Sequence, residues 1–381
     1  MWLILKNQKS NKKKIIVGAI IILIIVILTA IATLYDRNDR VRRFFDKYVF
    51  MKNVYQEKLP TIITDAKYVF AYKDKIFTFK DNELKAYNQY GKEQYSLNIE
   101  LTNPIFESND SYICLAEKNG QKVYVISGRN IVWQQDVKGN IAKVAINKNG
   151  MVAVAILGTE DKSVVAVFDK NGEEIFSRHI AEDYVIDIAL SEDSQFLAIA
   201  KVNYSGIDVK SVIETLTIKD AKQGNSVINE YKSDLGELII QIKYNQKNNL
   251  ICMYDKSITV IKDNYIESKV DFIKENLLFA DLNNKIITVA KNDNNVLDGN
   301  IELRFLDTNS DNIVTYEVEE PKELLVFENM VALNLGADAI FINNNAWMVK
   351  EYHSMQEINE IILSNEIAGI VYKDKIVIIS L

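Results

Sequence analysis

Two histidines and two cysteines are the side chains in this sequence best suited to nucleophilic, acid–base or metal chemistry. His179 lies in EIFSRHI and His353 in KEYHSM, and neither has a carboxylate or nucleophile at a spacing diagnostic of catalysis. Cys114 and Cys252 lie in the similar segments YICLAE and LICMYD, without a CxxC pair or a nearby histidine. The GxSxG, HExxH, GxxxxGK and GxGxxG patterns are absent. We expect surface histidines and buried reduced thiols, with a structural disulfide as the alternative.

Acidic residues gather in several loops, where carboxylates could in principle hold a cation. The segment 293–299 (DNNVLDG) comes nearest to a calcium loop, but its fifth position is Leu297 and no glutamate follows at the twelfth. The acidic pairs at 160–161 and 182–183 are typical of solvated turns. We therefore predict no catalytic, cofactor-binding or metal-binding residues and no bound cofactor.

The elements that would position any site are short strands separated by turns. Within residues 141–180, the Asn-Gly pairs at 149–150 and 171–172 are the strongest turn signals, because both residues of a tight hairpin must tolerate positive φ. Residues 164–168 form an unbroken apolar run, as expected for a strand covered on both faces. A four-stranded meander of about forty residues is the size of one propeller blade.

The same pattern recurs across residues 57–381, which we assign to a single all-β domain, a β-propeller. The last repeat, NEIAGIVYKDKIVIISL, supplies only three strands. We expect residues 54–63 to add its outer strand and so close the ring, which removes open sheet edges. This arrangement gives eight four-stranded blades; seven is the alternative, because the repeat at 61–99 is difficult to divide.

The amino-terminal part of the chain has a different character. Residues 1–14 form a basic tail, and residues 15–35 form an uncharged apolar run close to the roughly 20 residues that a transmembrane helix needs. We predict an uncleaved single-pass signal anchor, with cleavage after the A-x-A pattern at 30–32 as the alternative. Residues 36–56 are typical of an amphipathic helix, which either lies on the membrane surface or packs against the propeller as a stalk.

Charge bears on the partner class and on the topology. The net charge is −7, and the basic residues lie mainly before the propeller, so the propeller itself is more acidic still. An acidic domain repels phosphate backbones, which argues against nucleic-acid binding. Lysine and arginine flank residues 15–35 almost evenly. The short basic tail before a large domain favours a cytoplasmic amino terminus and an extracytoplasmic propeller; the reverse topology is the alternative.

The segments SEDSQFLAIA and VVAVFDKNGEEIF resemble the repeats of WD40-like and quinoprotein-like propellers. In its overall layout the chain resembles a family of single-pass, membrane-anchored propellers from Gram-positive bacteria. The Gly-His and Trp-Asp signatures of WD40 repeats are absent, and only Trp133 and Trp347 fall where quinoprotein repeats keep a tryptophan. The resemblance therefore implies a fold without a quinone cofactor and, by analogy, a binding or scaffolding role.

Together these features predict a non-catalytic, membrane-anchored propeller that binds a protein as a scaffold or sensor in the cell envelope. Two enlarged hairpins, at 202–214 and 292–300, are candidate binding loops, because long loops on a rigid scaffold often carry binding; tolerated insertions without a partner are the alternative. Two other functions stay open. One is a hydrolase or lyase with a carboxylate site in the central funnel, and the other is a module that binds glycans or wall polymers.

Overall fold

The fold is taken from a computed structural model, which describes residues 18, 20–35, 45, 49, 53–55, 59–158, 160–205, 209–224, 227–234, 236–262, 265–271, 276–282, 286–292, 300–307 and 313–381. Residues 20–35 form a helix, α1. No helix among the described residues combines the length and the apolarity needed to cross a membrane. The predicted basic tail at 1–14 lies outside the described residues, as does most of the predicted amphipathic helix at 36–56.

The strands of the described residues form eight sheets, in agreement with the larger of the two predicted blade numbers. The innermost strands are β3 (Tyr68–Tyr72), β7 (Pro104–Asn109), β11 (Asn140–Ile146), β15 (Tyr184–Leu190), β19 (Ile239–Tyr244), β23 (Asn276–Leu282), β27 (Glu323–Phe327) and β31 (Glu360–Leu363). The second strands are β4 (Lys75–Lys80), β8 (Tyr112–Glu117), β12 (Val152–Leu157), β16 (Phe196–Asn203), β20 (Leu250–Tyr254), β24 (Ile286–Asn292), β28 (Met330–Asn334) and β32 (Ile367–Val371).

The third strands are β5 (Glu83–Asn88), β9 (Lys122–Ser127), β13 (Ser163–Phe168), β17 (Lys210–Thr217), β21 (Ser257–Lys262), β25 (Asn300–Asp307), β29 (Asp338–Asn343) and β33 (Lys375–Ser380). The outer strands are β6 (Glu93–Asn98), β10 (Asn130–Asp136), β14 (Glu174–Ile180), β18 (Val227–Lys232), β22 (Tyr265–Asp271), β26 (Ile313–Glu319), β30 (Met348–His353) and β2 (Thr61–Ile63). A short helix, α2 (Ile218–Ala221), follows β17. The sheets are called blades 1 to 8, in the chain order of their innermost strands.

Apolar clusters join neighbouring blades into a closed ring. Cys114 and Val125 of blade 2, for example, share a buried cluster with Val154 of blade 3. At the closing interface, Ile376 of blade 8 shares a cluster with Ile76 of blade 1. The remaining neighbours are joined by further clusters or, for blades 5 and 6, by contact between β19 and β23. The hydrophobic core of the protein is therefore the set of spaces between blades.

The predicted closure is confirmed for the last three residues of the segment 54–63 that was assigned to it. Residues 61–63 form β2, which pairs antiparallel with β33 and completes blade 8. Residues 53–55 form a separate strand, β1, which pairs in parallel with β30 and adds a fifth strand to blade 7. Pro60 lies just before β2, and its carbonyl accepts a hydrogen bond from the Ile378 N–H at 2.9 Å. Because proline has no N–H to donate, a continuous strand cannot pair through this position in full.

The meander connectivity places the connections between strands on two opposite faces of the ring. The turn face carries the connections that follow the first and third strands of each blade, such as residues 147–151 and 169–173. The loop face carries those that follow the second and fourth strands, such as residues 118–121 and 137–139. The innermost strands run from the loop face to the turn face and line the central channel.

The predicted Asn-Gly turns at 149–150 and 171–172 both lie on the turn face. In the first, Oδ1 of Asn147 accepts hydrogen bonds from the backbone N–H groups two and four residues later, both at 3.1 Å. Oδ1 of Asp169 repeats this arrangement in the second turn, at 2.8 and 2.9 Å. Only the glycine of each pair has a positive φ, 79° and 85°. The expectation of positive φ at both residues was wrong, because these side chains build a longer turn that needs it only once.

Candidate functional site: the central channel

Four consecutive innermost strands share one irregularity in their pairing with the second strand. In β11, β15, β19 and β23 the register with the second strand shifts by one residue at the same point. Such a β-bulge leaves one residue unpaired and re-aims the side chain that follows it. The residues that follow the bulge are Lys143, Asp187, Gln241 and Phe279. The innermost strands of blades 1, 2, 7 and 8 pair without a shift, so the bulged half of the ring is distinct.

A cavity of about 430 Å³ occupies the turn-face end of the channel. Its walls come from seven blades, and representative lining residues are Tyr72, Asn109, Asp187, Gln241, Phe327 and Glu366. Lys143 also lines this cavity, so two of the charged groups that follow a bulge face each other across neighbouring blades. The cavity is within the size range of small-ligand sites, and its walls are mainly polar.

Asp187 is the one carboxylate among the four residues that follow a bulge. Its side chain is largely enclosed, its Oδ2 accepts a hydrogen bond from the Ile242 N–H at 2.9 Å, and its Oδ1 lies 3.8 Å from Lys143 Nζ. Burial raises the pKa of Asp187, while the charges of Lys143 and Lys243 and the backbone hydrogen bonds act in the opposite direction. The carboxyl is thus held by two neighbouring blades and can take up a proton more readily than an exposed aspartate.

Glu192 ties four blades together where the channel meets the turn face. Its Oε1 accepts a hydrogen bond from Asn109 Nδ2 of blade 2 at 3.0 Å. Its own backbone N–H donates to Asn248 Oδ1 of blade 5 at 3.0 Å. Its Oε2 accepts a longer hydrogen bond, 3.4 Å, from the backbone N–H of Lys148 in blade 3. The side chain is buried although it is charged. We infer that these bonds fix the turn-face end of the channel in one arrangement.

Two glutamates begin the neighbouring strands β27 and β31 at the loop-face end of the channel. Burial raises the pKa of Glu323 and of Glu360, and the charge of Glu323 adds to the shift at Glu360. The Ile361 N–H donates to Glu323 Oε2 at 3.1 Å. Raised carboxylate pKa values are what the enzyme alternative requires. Glu360 and Asp187, however, line different cavities at the two ends of the channel.

Both histidines lie outside the channel, on outer strands, and both have carboxylate partners. His179 Nδ1 is 2.7 Å from Asp161 Oδ2, and His353 Nδ1 is 3.0 Å from Asp338 Oδ1. Sequence spacing missed these pairs because each is formed across a hairpin by residues 15 or more positions apart. Among the described residues, no group of three His, Cys, Asp or Glu side chains is placed to hold a metal ion.

The acidic pairs at 160–161 and 182–183 lie in loop-face connections and take part in local bonds. Besides the Asp161 pair, the Glu182 carbonyl accepts from Lys162 Nζ at 2.8 Å, and Asp183 Oδ1 accepts from Asn203 Nδ2 at 2.8 Å. They therefore hold the loop face of blades 3 and 4 in place. The predicted calcium-like segment at 293–299 lies outside the described residues.

The cysteines and the two tryptophans singled out by the sequence have structural positions. Cys114 and Cys252 are free and fully buried in different clusters, as predicted, and burial raises the pKa of both thiols. Trp133 packs against Phe168 of the next blade, with ring centroids 5.8 Å apart. Trp347 lies in the turn between β29 and β30. Packing accounts for both cysteines and for the ring of Trp133.

The two hairpins predicted as binding loops are extended ladders on the loop face. The strands β16 and β17 pair over eight residues each, from Phe196–Thr217 to Asn203–Lys210. Much of the segment 202–214 is thus paired strand, and Ile213 and Glu214 within it are fully buried. The interpretation of the whole segment as a loop was therefore wrong. The hairpin of β24 and β25 extends to the pair Asn292–Ile301. Both hairpins lie on the loop face, and their apices at 206–208 and 293–299 lie outside the described residues.

Comparisons with solved structures place the ring among known folds. BamB from Moraxella catarrhalis is similar over 85% of this chain and 99% of its own, with 9% identity and a TM-score of 0.50. The β-propeller domain of Cps50 (Swd1) from Myceliophteria thermophila covers 84% and 99%, with 12% identity and a TM-score of 0.48. AztD from Citrobacter koseri covers 78% and 87%, with 12% identity and a TM-score of 0.46. At such identities the likeness shows the fold alone.

No curated protein sequence matches the chain. The eight sheets and the likeness to BamB support the predicted propeller fold, whereas kinship with WD40-like repeats and with membrane-anchored Gram-positive propellers stays a prediction. A family model matches residues 43–381, which is most of the chain and includes the whole ring. The protein therefore belongs to the family of unknown function DUF5711, and its fold is that of a β-propeller.

Proposed function

We propose that this protein is a membrane-anchored, non-catalytic propeller that binds a partner protein on its loop face, as a scaffold or sensor in the cell envelope. One observation carries the choice of face. Tyr35, the last residue of α1, packs edge-on against Trp347, with ring centroids 6.3 Å apart. Trp347 lies in a turn of blade 7 on the turn face. The helix thus meets the ring on the side opposite the extended hairpins.

The amino-terminal connection supports a fixed attachment. Beyond α1 the chain pairs with blade 7 through β1 and with blade 8 through β2. Two separate strand pairings on adjoining outer edges limit how far the ring can swing relative to its anchor. An attachment of this kind presents one face of the ring consistently, which suits a scaffold that must orient a partner.

The membrane part of the proposal rests on the apolar run at 15–35. Within α1, the large apolar side chains at 20–28 and Leu34 are between 48% and 64% exposed. Leaving such side chains in water forgoes roughly 1.5–3 kcal/mol of transfer free energy each, which a bilayer would recover. Lysine and arginine flank this run almost evenly, so the orientation rests on the short basic tail before a large domain, which favours a cytoplasmic amino terminus and an extracytoplasmic ring.

Protease accessibility in intact cells tests anchoring and topology together. With a carboxy-terminal tag, we expect external protease to degrade the ring and membrane fractions to retain the full-length chain. Protection in intact cells, with digestion only after lysis, would reverse the topology. Recovery of the chain in the soluble fraction would exclude the anchor.

Binding of glycans or wall polymers is a second candidate, and a specific observation favours it. Tyr184 and Tyr204 are both exposed on the loop face, and their ring centroids lie 6.1 Å apart. Exposed aromatic faces can stack against the apolar face of a sugar ring. Co-sedimentation with purified cell-wall polymer tests this candidate. The wild-type protein should sediment with the polymer, and Tyr184→Ala and Tyr204→Ala should abolish this co-sedimentation.

A further inference from the structure

A second cavity, of about 410 Å³, lies at the loop-face end of the channel, between β3 of blade 1 and β7 of blade 2. Its walls are mainly apolar: Val69, Phe70, Phe79, Phe106 and Leu115 line it. Its volume is within the range of small-molecule sites, roughly 300–1,000 Å³. The apolar walls distinguish this cavity from the one at the turn face, whose walls are mainly polar.

An ordered aromatic stack forms one wall of this cavity. Phe106 stacks on Phe70 with ring centroids 4.1 Å apart, and Phe70 stacks on Phe77 at 5.0 Å with the two rings almost parallel. Phe70 and Phe77 are buried, whereas Phe106 is 41% exposed. The stack therefore holds Phe106 in place while part of its ring stays open to the channel. An exposed phenylalanine on an innermost strand is a ready surface for another flat apolar group.

The mouth of the cavity carries three lysines: Lys67, Lys118 and Lys143. Lys143 is near Asp187, and Lys67 Nζ lies over the Tyr68 ring at 5.0 Å. Within the described part of the chain, neither Lys67 nor Lys118 has a carboxylate within ion-pair distance. Glu107 and Glu360 also line the cavity, so three lysines face two carboxylates there. The mouth is therefore more attractive to an anion than to a cation.

We propose that this cavity binds a small aromatic anion, with its ring against Phe106 and its acidic group near Lys118 and Lys67. Transfer of the ring out of water provides most of the driving force, as for other apolar sites. The lysines set the preference for an acid, because a hydrogen bond between two charged groups is stronger than one between neutral groups. The cavity lies at the loop-face end of the channel, but the binding of this small ligand does not depend on the partner protein proposed above.

Calorimetric titration of the full chain in a neutral detergent tests the proposal with two probes that share a naphthalene ring. These probes are 2-naphthalenesulfonate, which is anionic, and 2-naphthalenemethanol, which is neutral. We expect saturable binding of both, with the sulfonate bound more tightly. Lys118→Gln should weaken the sulfonate about tenfold and leave the neutral probe unchanged. Equal sulfonate affinity in wild type and Lys118→Gln, or no saturable binding to wild type, would overturn the proposal.

A matched pair of substitutions on β11 tests the location. Ala142 is the bulge residue and lines the loop-face cavity, whereas Ala145, three residues later, lines the turn-face cavity. Ala142→Phe should fill the site and weaken both probes at least tenfold, and Ala145→Phe should leave them unchanged. Phe106→Ser, at a partly exposed position, provides a second variant if Ala142→Phe does not fold, and it should also weaken both probes. Loss of binding in Ala145→Phe alone would place the site elsewhere.

Discussion

Lys143 and Asp187 occupy equivalent positions in neighbouring blades, and they meet inside the channel with Nζ 3.8 Å from Oδ1. Each side chain follows a β-bulge, so the ion pair is a product of the same irregularity used twice. The two partners differ in exposure: the side chain of Lys143 is half exposed, whereas that of Asp187 is nearly enclosed. Burial therefore acts mainly on the aspartate, which is consistent with its raised pKa.

We predict that Asp187→Asn stabilises the protein at neutral pH. A carboxyl whose pKa is raised in the folded chain lowers stability as the pH rises above its ordinary value of 3.8, because on folding it must then either take up a proton or bury its charge. Asparagine can still accept from the Ile242 N–H without that cost. The midpoint of thermal unfolding should rise by about 2–4 °C at pH 7. The gain should disappear near pH 3.5, and a variant less stable than wild type at pH 7 would show that Lys143 outweighs burial.

Lys201→Met should destabilise the protein by about 3–5 kcal/mol, because it leaves a buried carboxylate short of a partner. Lys201 Nζ donates to Glu214 Oε2 at 2.7 Å, and Arg178 Nε of blade 3 donates to Glu214 Oε1 at 2.8 Å. Burial acts to raise the pKa of Glu214, but these two hydrogen bonds outweigh it and the pKa is lowered. The stabilisation is thus present above about pH 4.5 and is lost as the pH falls through the folded pKa.

Lys80→Met is the matched control for that prediction. Lys80 Nζ lies at the same distance, 2.7 Å, from Asp65 Oδ1, but both side chains are largely exposed. Exposed pairs contribute roughly 0–1 kcal/mol, so this variant should be close to wild type. Denaturant titration at pH 7 compares the two. Similar losses in both variants would mean that the network between blades 3 and 4 is no stronger than a surface pair.

Closure of the ring by β2 predicts that substitution of two adjacent isoleucines will change the stability of the protein by very different amounts. Ile62 is 3% exposed and packs between blades 8 and 1, whereas Ile63 is 79% exposed. Ile62→Ala should cost about 2–5 kcal/mol of unfolding free energy, because it leaves a cavity at the closing interface. Ile63→Ala should stay within about 0.5 kcal/mol of wild type. Equal effects would indicate that β2 does not close the ring in solution.

The sequence was most informative where the signals are local. Apolar runs repeat with each blade, and Asx-type turns like those at Asn147 and Asp169 recur at Asn245 and Asn343, so the propeller and the closing strand could be predicted. The parallel pairing of residues 53–55 could not, because three residues carry no register signal and their partners lie about 300 positions away. The bulges before Lys143 and Asp187 also escaped notice, because a bulge has no reliable compositional mark.

The channel was harder to predict than the fold for the same physical reason. Phe106 and Lys118 come together with Glu360 only because the ring closes. The carboxylate partners of His179 and His353 likewise depend on hairpin geometry, which spacing along the chain does not reveal. Long-range proximity is a property of the assembled ring, so single-sequence patterns recover the scaffold and miss its sites.

The proposal that the partner protein binds the loop face, opposite the face that α1 contacts, can be tested most directly by site-specific photocrosslinking in intact cells. Tyr204 on the loop face and Tyr90 on the turn face are both exposed tyrosines in connections between strands. We predict that Tyr204→p-benzoylphenylalanine yields a discrete adduct with one envelope protein and that Tyr90→p-benzoylphenylalanine yields none. An adduct from Tyr90 with none from Tyr204 would contradict the account and would move the partner to the turn face.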